Sequence, residues 1–183
     1  MYAVECFFDP VSEEYVRSIW RGLQSAGITS SMQAIEGLRP HVTVAVYDAD
    51  LTFDPFIRRF DAFAQHVPSM ALKFDAVAVF PTSGTVFAHP AMTDALFHVH
   101  RRYYQEMASF QSIANPYYVP DSWNPHCTFA INLDAHALAA ALQYCIGAFR
   151  PMQARLTEIA VVKLEYTEGA CIRSRTICSR LLH

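Results

Sequence analysis

Arg39-Pro40-His41-Val42-Thr43-Val44-Ala45 and Asn124-Pro125-His126-Cys127-Thr128-Phe129-Ala130 repeat one pattern, Pro-His-x-Thr-hydrophobic-Ala, at a distance of 126 − 41 = 85 residues. Side chains alternate between the faces of a strand. His41 and Thr43 therefore share one face with Val42 and Val44 behind them, and His126 and Thr128 share one with Cys127 and Phe129 behind. With 10 Pro, 8 His and ten Thr in 183 residues, one Pro-His-x-Thr arises by chance roughly 0.02 times. Either histidine alone reads as a packing residue, whereas the matched pair reads as a functional unit.

The segments around the two strands repeat as well. Tyr2 to Phe8 alternates as a strand, and Asp9-Pro10 supplies a cap and a first helical residue. Val16, Ile19, Trp20 and Leu23 then recur at helical spacing until Gly27, which predicts a helix over 10–26. Pro40 opens a strand from His41 to Tyr47. Phe53, Phe56, Ile57, Phe60, Phe63, Ala64 and Val67 form the stripe of a second helix that stops at Pro68. Strands over 70–80 and 84–89 are joined by the turn Pro81-Thr82-Ser83-Gly84, which predicts antiparallel neighbours. The order then restarts. Thr93 caps a helix carrying Leu96, Val99, Tyr103, Met107 and Phe110, and a strand runs from His126 to Asn132. Asp134 caps the last helix, and strands at 154–165 and 171–181 close the chain.

This order implies an internal duplication, with repeats of about 1–82 and 83–183. The expected class is α+β: two pseudo-symmetric lobes around a central cleft, each lobe burying the apolar face that the other cannot bury alone. At 183 residues the chain is read as a single bilobal domain and a monomer.

Composition narrows the partners. Hydrophobic residues make up 52% and charged residues 17%, and the balance is 14 − 17 = −3 with twelve Arg and two Lys. An acidic balance argues against coating long nucleic acid, so any phosphate is met locally. No basic leader or long apolar run is seen at the start or elsewhere, so no membrane association is expected. Five cysteines, an odd number without a C-x-x-C pair, read as free thiols of a reducing cytoplasm, packed as small core residues.

Two imidazoles and two hydroxyls facing one cleft suit displacement at phosphorus. Base and acid must stand on opposite sides of an in-line reaction, and histidine titrates near neutral pH, so it can serve as either. Threonine hydroxyls can donate to the non-bridging oxygens. One ligand per strand does not make a metal site, and no metal or cofactor is expected. Arg39, Tyr118 and Trp123 are the candidate substrate-binding residues. Tyr118 and Trp123 lie in the loop before the second motif as platforms for a nucleobase, and Arg39 lies beside the first motif as a phosphate contact. His89 is a candidate to line the cleft.

Both motifs, His41-Val42-Thr43 and His126-Cys127-Thr128, together with the strand and helix order over nearly the whole chain, resemble those of the 2H phosphoesterase superfamily, which includes 2'-5' RNA ligase-like proteins and cyclic nucleotide phosphodiesterases. The resemblance implies hydrolysis of 2',3'-cyclic phosphates of nucleotides or RNA ends, typically to a 2'-phosphate. It makes His41 and His126 the acid–base pair and Thr43 and Thr128 the phosphate binders. Where some relatives carry a base-stacking Trp on the first strand this chain aligns Glu5, and where some carry an aromatic or hydroxylic residue three positions after the second motif's threonine it has Ile131. A non-catalytic nucleotide- or RNA-binding module and a 2'-5' RNA ligase are the alternatives.

Overall fold

Strand β1 (Tyr2–Phe8) leads into helix α1 (Pro10–Ser25) through Asp9. One carboxylate oxygen of Asp9 accepts the N–H groups of Val11 and Ser12 at 3.1 and 3.0 Å. Satisfying such orphan donors is worth about 1 kcal/mol. β2 (His41–Tyr47), α2 (Phe53–Ala64), β3 (Met70–Phe80) and β4 (Thr85–Pro90) follow, then α3 (Asp94–Glu106), β5 (Cys127–Ala130), α4 (Ala135–Ala148), β6 (Met152–Thr167) and β7 (Ala170–Leu181). Thr93 and Asp134 cap α3 and α4 through the N–H groups of Leu96 and Ala137. This computed structural model describes residues 1–47 and 51–183. No helix among them is long and apolar enough to cross a membrane.

The strands form one seven-stranded antiparallel sheet in the order β2-β1-β6-β3-β4-β5, with β7 also paired to β6. The long strand β6 holds it together. Residues 152–156 pair with β3, residues 156–163 with β1, and residues 158–167 with β7. Pairing thus crosses the boundary between residues 82 and 83: β3 joins β4 and β5, while β6 and β7 join β1 and β2.

All four helices feed one large core that includes Val16, Trp20, Phe56, Phe60, Val99, Tyr103 and Cys145. A small second cluster of Ala3, Phe7, Val46, Ala160 and Val162 lies on the other face of β1 and β6. That is the face to which Glu5 belongs by alternation.

Three elements differ from the periodicity. α3 ends at Glu106, and residues 108–113 form a 3-10 turn. Positions i and i+3 eclipse in such a turn, so Met107 and Phe110 stay on one buried side and the apolar spacing alone does not reveal the break. α2 stops at Ala64, because the N–H groups of His66 and Val67 bond three residues back rather than four, ahead of Pro68. β5 ends at Ala130, two residues before the expected end, because Asn132 takes φ 60° and the N–H groups of Asn132 and Leu133 turn back to Ser83 and Gly84. Of the cysteines, Cys6, Cys127 and Cys145 are buried, but Cys171 and Cys178 on the edge strand β7 are only half-buried, which corrects the expectation of five core thiols.

Candidate active site

The two motif strands carry the same defect in the same place. β1 and β2 pair as Val4 with Ala45 and then Glu5 with Thr43, so Val44 is skipped. β4 and β5 pair as Val86 with Ala130 and then Phe87 with Thr128, so Phe129 is skipped. A bulge adds local twist and re-aims the side chains beside it. Here it falls directly after each threonine.

The histidines are anchored alike. His41 Nδ1 lies 2.6 Å from the Arg39 carbonyl, and His126 Nδ1 lies 2.6 Å from the Asn124 carbonyl. A carbonyl only accepts, so each Nδ1 carries the proton and each Nε2 is left for proton exchange. The proline between carbonyl and histidine fixes the bend that makes this bond. All four motif side chains are half-buried, whereas Val42, Val44, Cys127 and Phe129 are buried.

β2 and β5, the two ends of the strand order, lie against each other. The two Trp residues of the chain then clamp the motif strands crosswise. Trp123 Nε1 donates to the Thr43 carbonyl at 2.9 Å, and Trp20 Nε1 donates to the Thr128 carbonyl at 3.0 Å. Each half of the chain thus braces the motif of the other, at the point where the bulge interrupts the ladder.

The surroundings of the two imidazoles differ. His126 sits against the rings of Phe80 and Phe87, with centroids at 5.1 and 5.0 Å. Its burial lowers its proton affinity below the ordinary imidazole value. The Asn124 carbonyl opposes this, and the charges of His41 and His89 add to it. His41 instead has Glu5 Oε1 at 3.5 Å from its Nε2.

Of the other expected binding residues, Tyr118 is half-buried and packs against both apolar clusters. The Arg39 guanidinium does not stand free for a phosphate. It bonds Glu158 at 2.8 Å and Glu13 at 3.1 Å, and it stacks over Phe7 at 4.0 Å. Arg39 enters the site through its carbonyl. The Trp123 ring is buried and stacked on His100 at 3.9 Å with planes parallel to 1°, so its face and its N–H are both taken within the protein. These roles depend on partners up to 119 residues away and leave no local trace in the sequence. A cavity of about 530 Å³ opens between α1 and the 32–38 segment, beside Trp20, Met32 and Leu38, and holds none of the four motif residues. Among the described residues no group of three or more His, Cys, Asp or Glu is arranged to hold a metal ion.

His100 itself offers a stability test. It is 2% exposed, and burial lowers its proton affinity to about 4, even though Nε2 lies 2.8 Å from the Tyr118 carbonyl. A depressed imidazole contributes stability that is complete above the unfolded value near 6.5 and is lost as pH falls toward 4, by up to about 3 kcal/mol. The thermal midpoint of the wild type should therefore fall more steeply between pH 6.5 and 4 than that of His100→Gln. Parallel curves would show that His100 is not the titrating group.

The seven-stranded antiparallel sheet carrying two bulged His-x-Thr strands is that of a protein of the 2H phosphoesterase superfamily. A model of the 2'-5' RNA ligase superfamily matches residues 9–168, and the chain belongs to that family. Similar solved structures include one described as a phosphoesterase, with TM-score 0.66 and 11% identity over 99% of this chain and 97% of that one. Escherichia coli LigT complexed with 3'-AMP gives TM-score 0.66 and 12% identity over 99% and 97% of the two chains. A Thermus thermophilus protein, TT0787, gives 0.58 and 12% over the same shares. At such identities the likeness is one of fold. Comparison with curated protein sequences returns no match.

Proposed function

We propose that this protein is a metal-independent phosphodiesterase that opens 2',3'-cyclic phosphates of nucleotides or RNA ends to 2'-phosphates. The observation that carries the reading is the twin anchoring of His41 and His126, each with Nδ1 held by a carbonyl two residues back and Nε2 left for chemistry. In this reading one Nε2 takes a proton from water as its oxygen bonds to phosphorus. The other histidine gives its proton to the ribose 3'-oxygen as the P–O3' bond breaks. The hydroxyls of Thr43 and Thr128 hold the non-bridging oxygens. The family membership supports a phosphoester or RNA-end substrate. Structures of LigT with 3'-AMP and ATP support a nucleotide in the cleft.

The test is incubation with the four nucleoside 2',3'-cyclic phosphates, with and without EDTA, and identification of the product isomer. The expected result is a 2'-phosphate, a bell-shaped dependence of rate on pH, and no effect of the chelator. A thermal shift with nucleotides but no product from any cyclic phosphate would instead establish a binding module. Joining of RNA ends without hydrolysis would establish a ligase.

A further inference from the structure

The bulges put β1 and β4 in the same register against the two motifs, so their residues can be compared one to one. Glu5 lies opposite Thr43 and Phe7 opposite His41. Phe87 lies opposite Thr128, and Ala88 opposite Cys127 places His89 beside His126. The duplication therefore matches Glu5 with Phe87 and Phe7 with His89. Each neighbouring strand offers one aromatic and one ionisable residue, but in reversed order.

Glu5 is 2% exposed, and its Oε2 is buried without a hydrogen-bond partner. Leaving a buried carboxylate oxygen unsatisfied costs on the order of 1–3 kcal/mol or more. Phe87 shows that the equivalent position of the other repeat accepts an apolar side chain, so the fold does not demand a carboxyl there. Among the described residues the one ion pair of Glu5 is Oε1 to His41 Nε2 at 3.5 Å.

We propose that Glu5 is a positioning residue that makes two otherwise equivalent histidines unequal: it holds a proton on the Glu5–His41 pair, while His126 is packed against Phe80 and Phe87. The proposal gives the resting site one proton donor and one acceptor before substrate arrives, and its consequence for turnover rests on the proposed phosphodiesterase reading.

The electrostatic surroundings agree with this. Burial raises the proton affinity of the Glu5 carboxyl, while His41 and Arg39 act against that rise. The other ionisable groups that feel Glu5 are Cys6 on its own strand, Tyr118 in the loop before β5, Tyr166 on β6 and Cys171 on β7. Burial raises all four above their ordinary values, so they are uncharged near neutral pH. Arg39 is already paired with Glu13 and Glu158. His41 is thus the partner left to share a proton with Glu5. Around His126 burial against the phenylalanine rings disfavours the charged form.

The test is a chemical-shift titration of the histidine rings in the substrate-free protein, for the wild type and Glu5→Gln. The midpoint of His41 should move to lower pH in Glu5→Gln, and that of His126 should move much less. An unmoved His41 midpoint would overturn the proposal. If Glu5→Gln does not fold, the Glu5 carboxyl carbon of the wild type serves instead. It should respond at the midpoint of His41, and a carboxyl that titrates independently of His41 would overturn the proposal equally. These readouts need no substrate, so they stand apart from the proposed activity. If cyclic phosphates are turned over, the alkaline limb of kcat/KM should also shift to lower pH in Glu5→Gln, with a loss of roughly tenfold above neutrality. A uniform loss with unchanged limbs would mark a merely structural role.

Discussion

His41→Ala and His126→Ala should each lower kcat/KM on a 2',3'-cyclic phosphate by at least about 10²-fold, because each removes one of the two proton-transfer groups from an in-line displacement. The double variant should be little worse than either single one, since groups that act as a unit are not additive. The structure makes these substitutions clean tests. Both side chains are half-buried on the cleft face, with the large core on the other side of their strands, so their loss should leave folding intact. Circular dichroism and thermal unfolding would verify this. Either variant retaining near wild-type turnover would sink the acid–base assignment. Retention by both would leave a binding module as the better reading.

Gly84→Ala should produce the largest loss of stability. Gly84 has φ 57°, and an added Cβ would run into the Leu133 carbonyl oxygen and stand 2.6 Å from the Leu133 nitrogen. The Leu133 N–H in turn donates to the Gly84 carbonyl at 3.0 Å. The turn between β3 and β4 is thus pressed against the end of β5, just past the second motif, and neither backbone can retreat without breaking that bond. Left-handed strain costs about 1 kcal/mol, and overpacking against backbone adds about 1–3 kcal/mol. A total of about 3 kcal/mol corresponds to a fall of about 6–12 °C in Tm for a chain of this size. Gly27→Ala is the control. Gly27 has φ 67° with nothing within 4 Å of the added carbon, so it should lose only the conformational share. Equal losses in the two variants would show that the packing of the turn on β5 carries no weight.

The comparison of sequence with structure divides along contact range. The caps at Asp9, Thr93 and Asp134, the helical stripes and the alternation around each His-x-Thr are local rules, and each is found where the chain spells it. Element ends are less legible. The stop of α3 at Glu106 and of β5 at Ala130 follow from a 3-10 turn and a positive φ that the apolar pattern does not encode. Trp123 looks like a free aromatic wall in one dimension, because neither the stack on His100 nor the bond to Thr43, 80 residues away, can be seen there. Arg39 likewise looks like a phosphate contact until Glu13 and Glu158 are brought against it.

The chain by itself determined which faces the side chains of the two His-x-Thr stretches share, since that depends only on spacing along a strand whose side chains alternate. Only the tertiary structure decided what surrounds them. It set which carbonyl fixes each Nδ1, which tryptophan braces each bulge, and that a carboxylate stands beside one histidine while phenylalanines stand beside the other. Those relations join distant segments through pairing and packing. The energies that select them are collective properties of the folded sheet, which no local stretch of sequence carries.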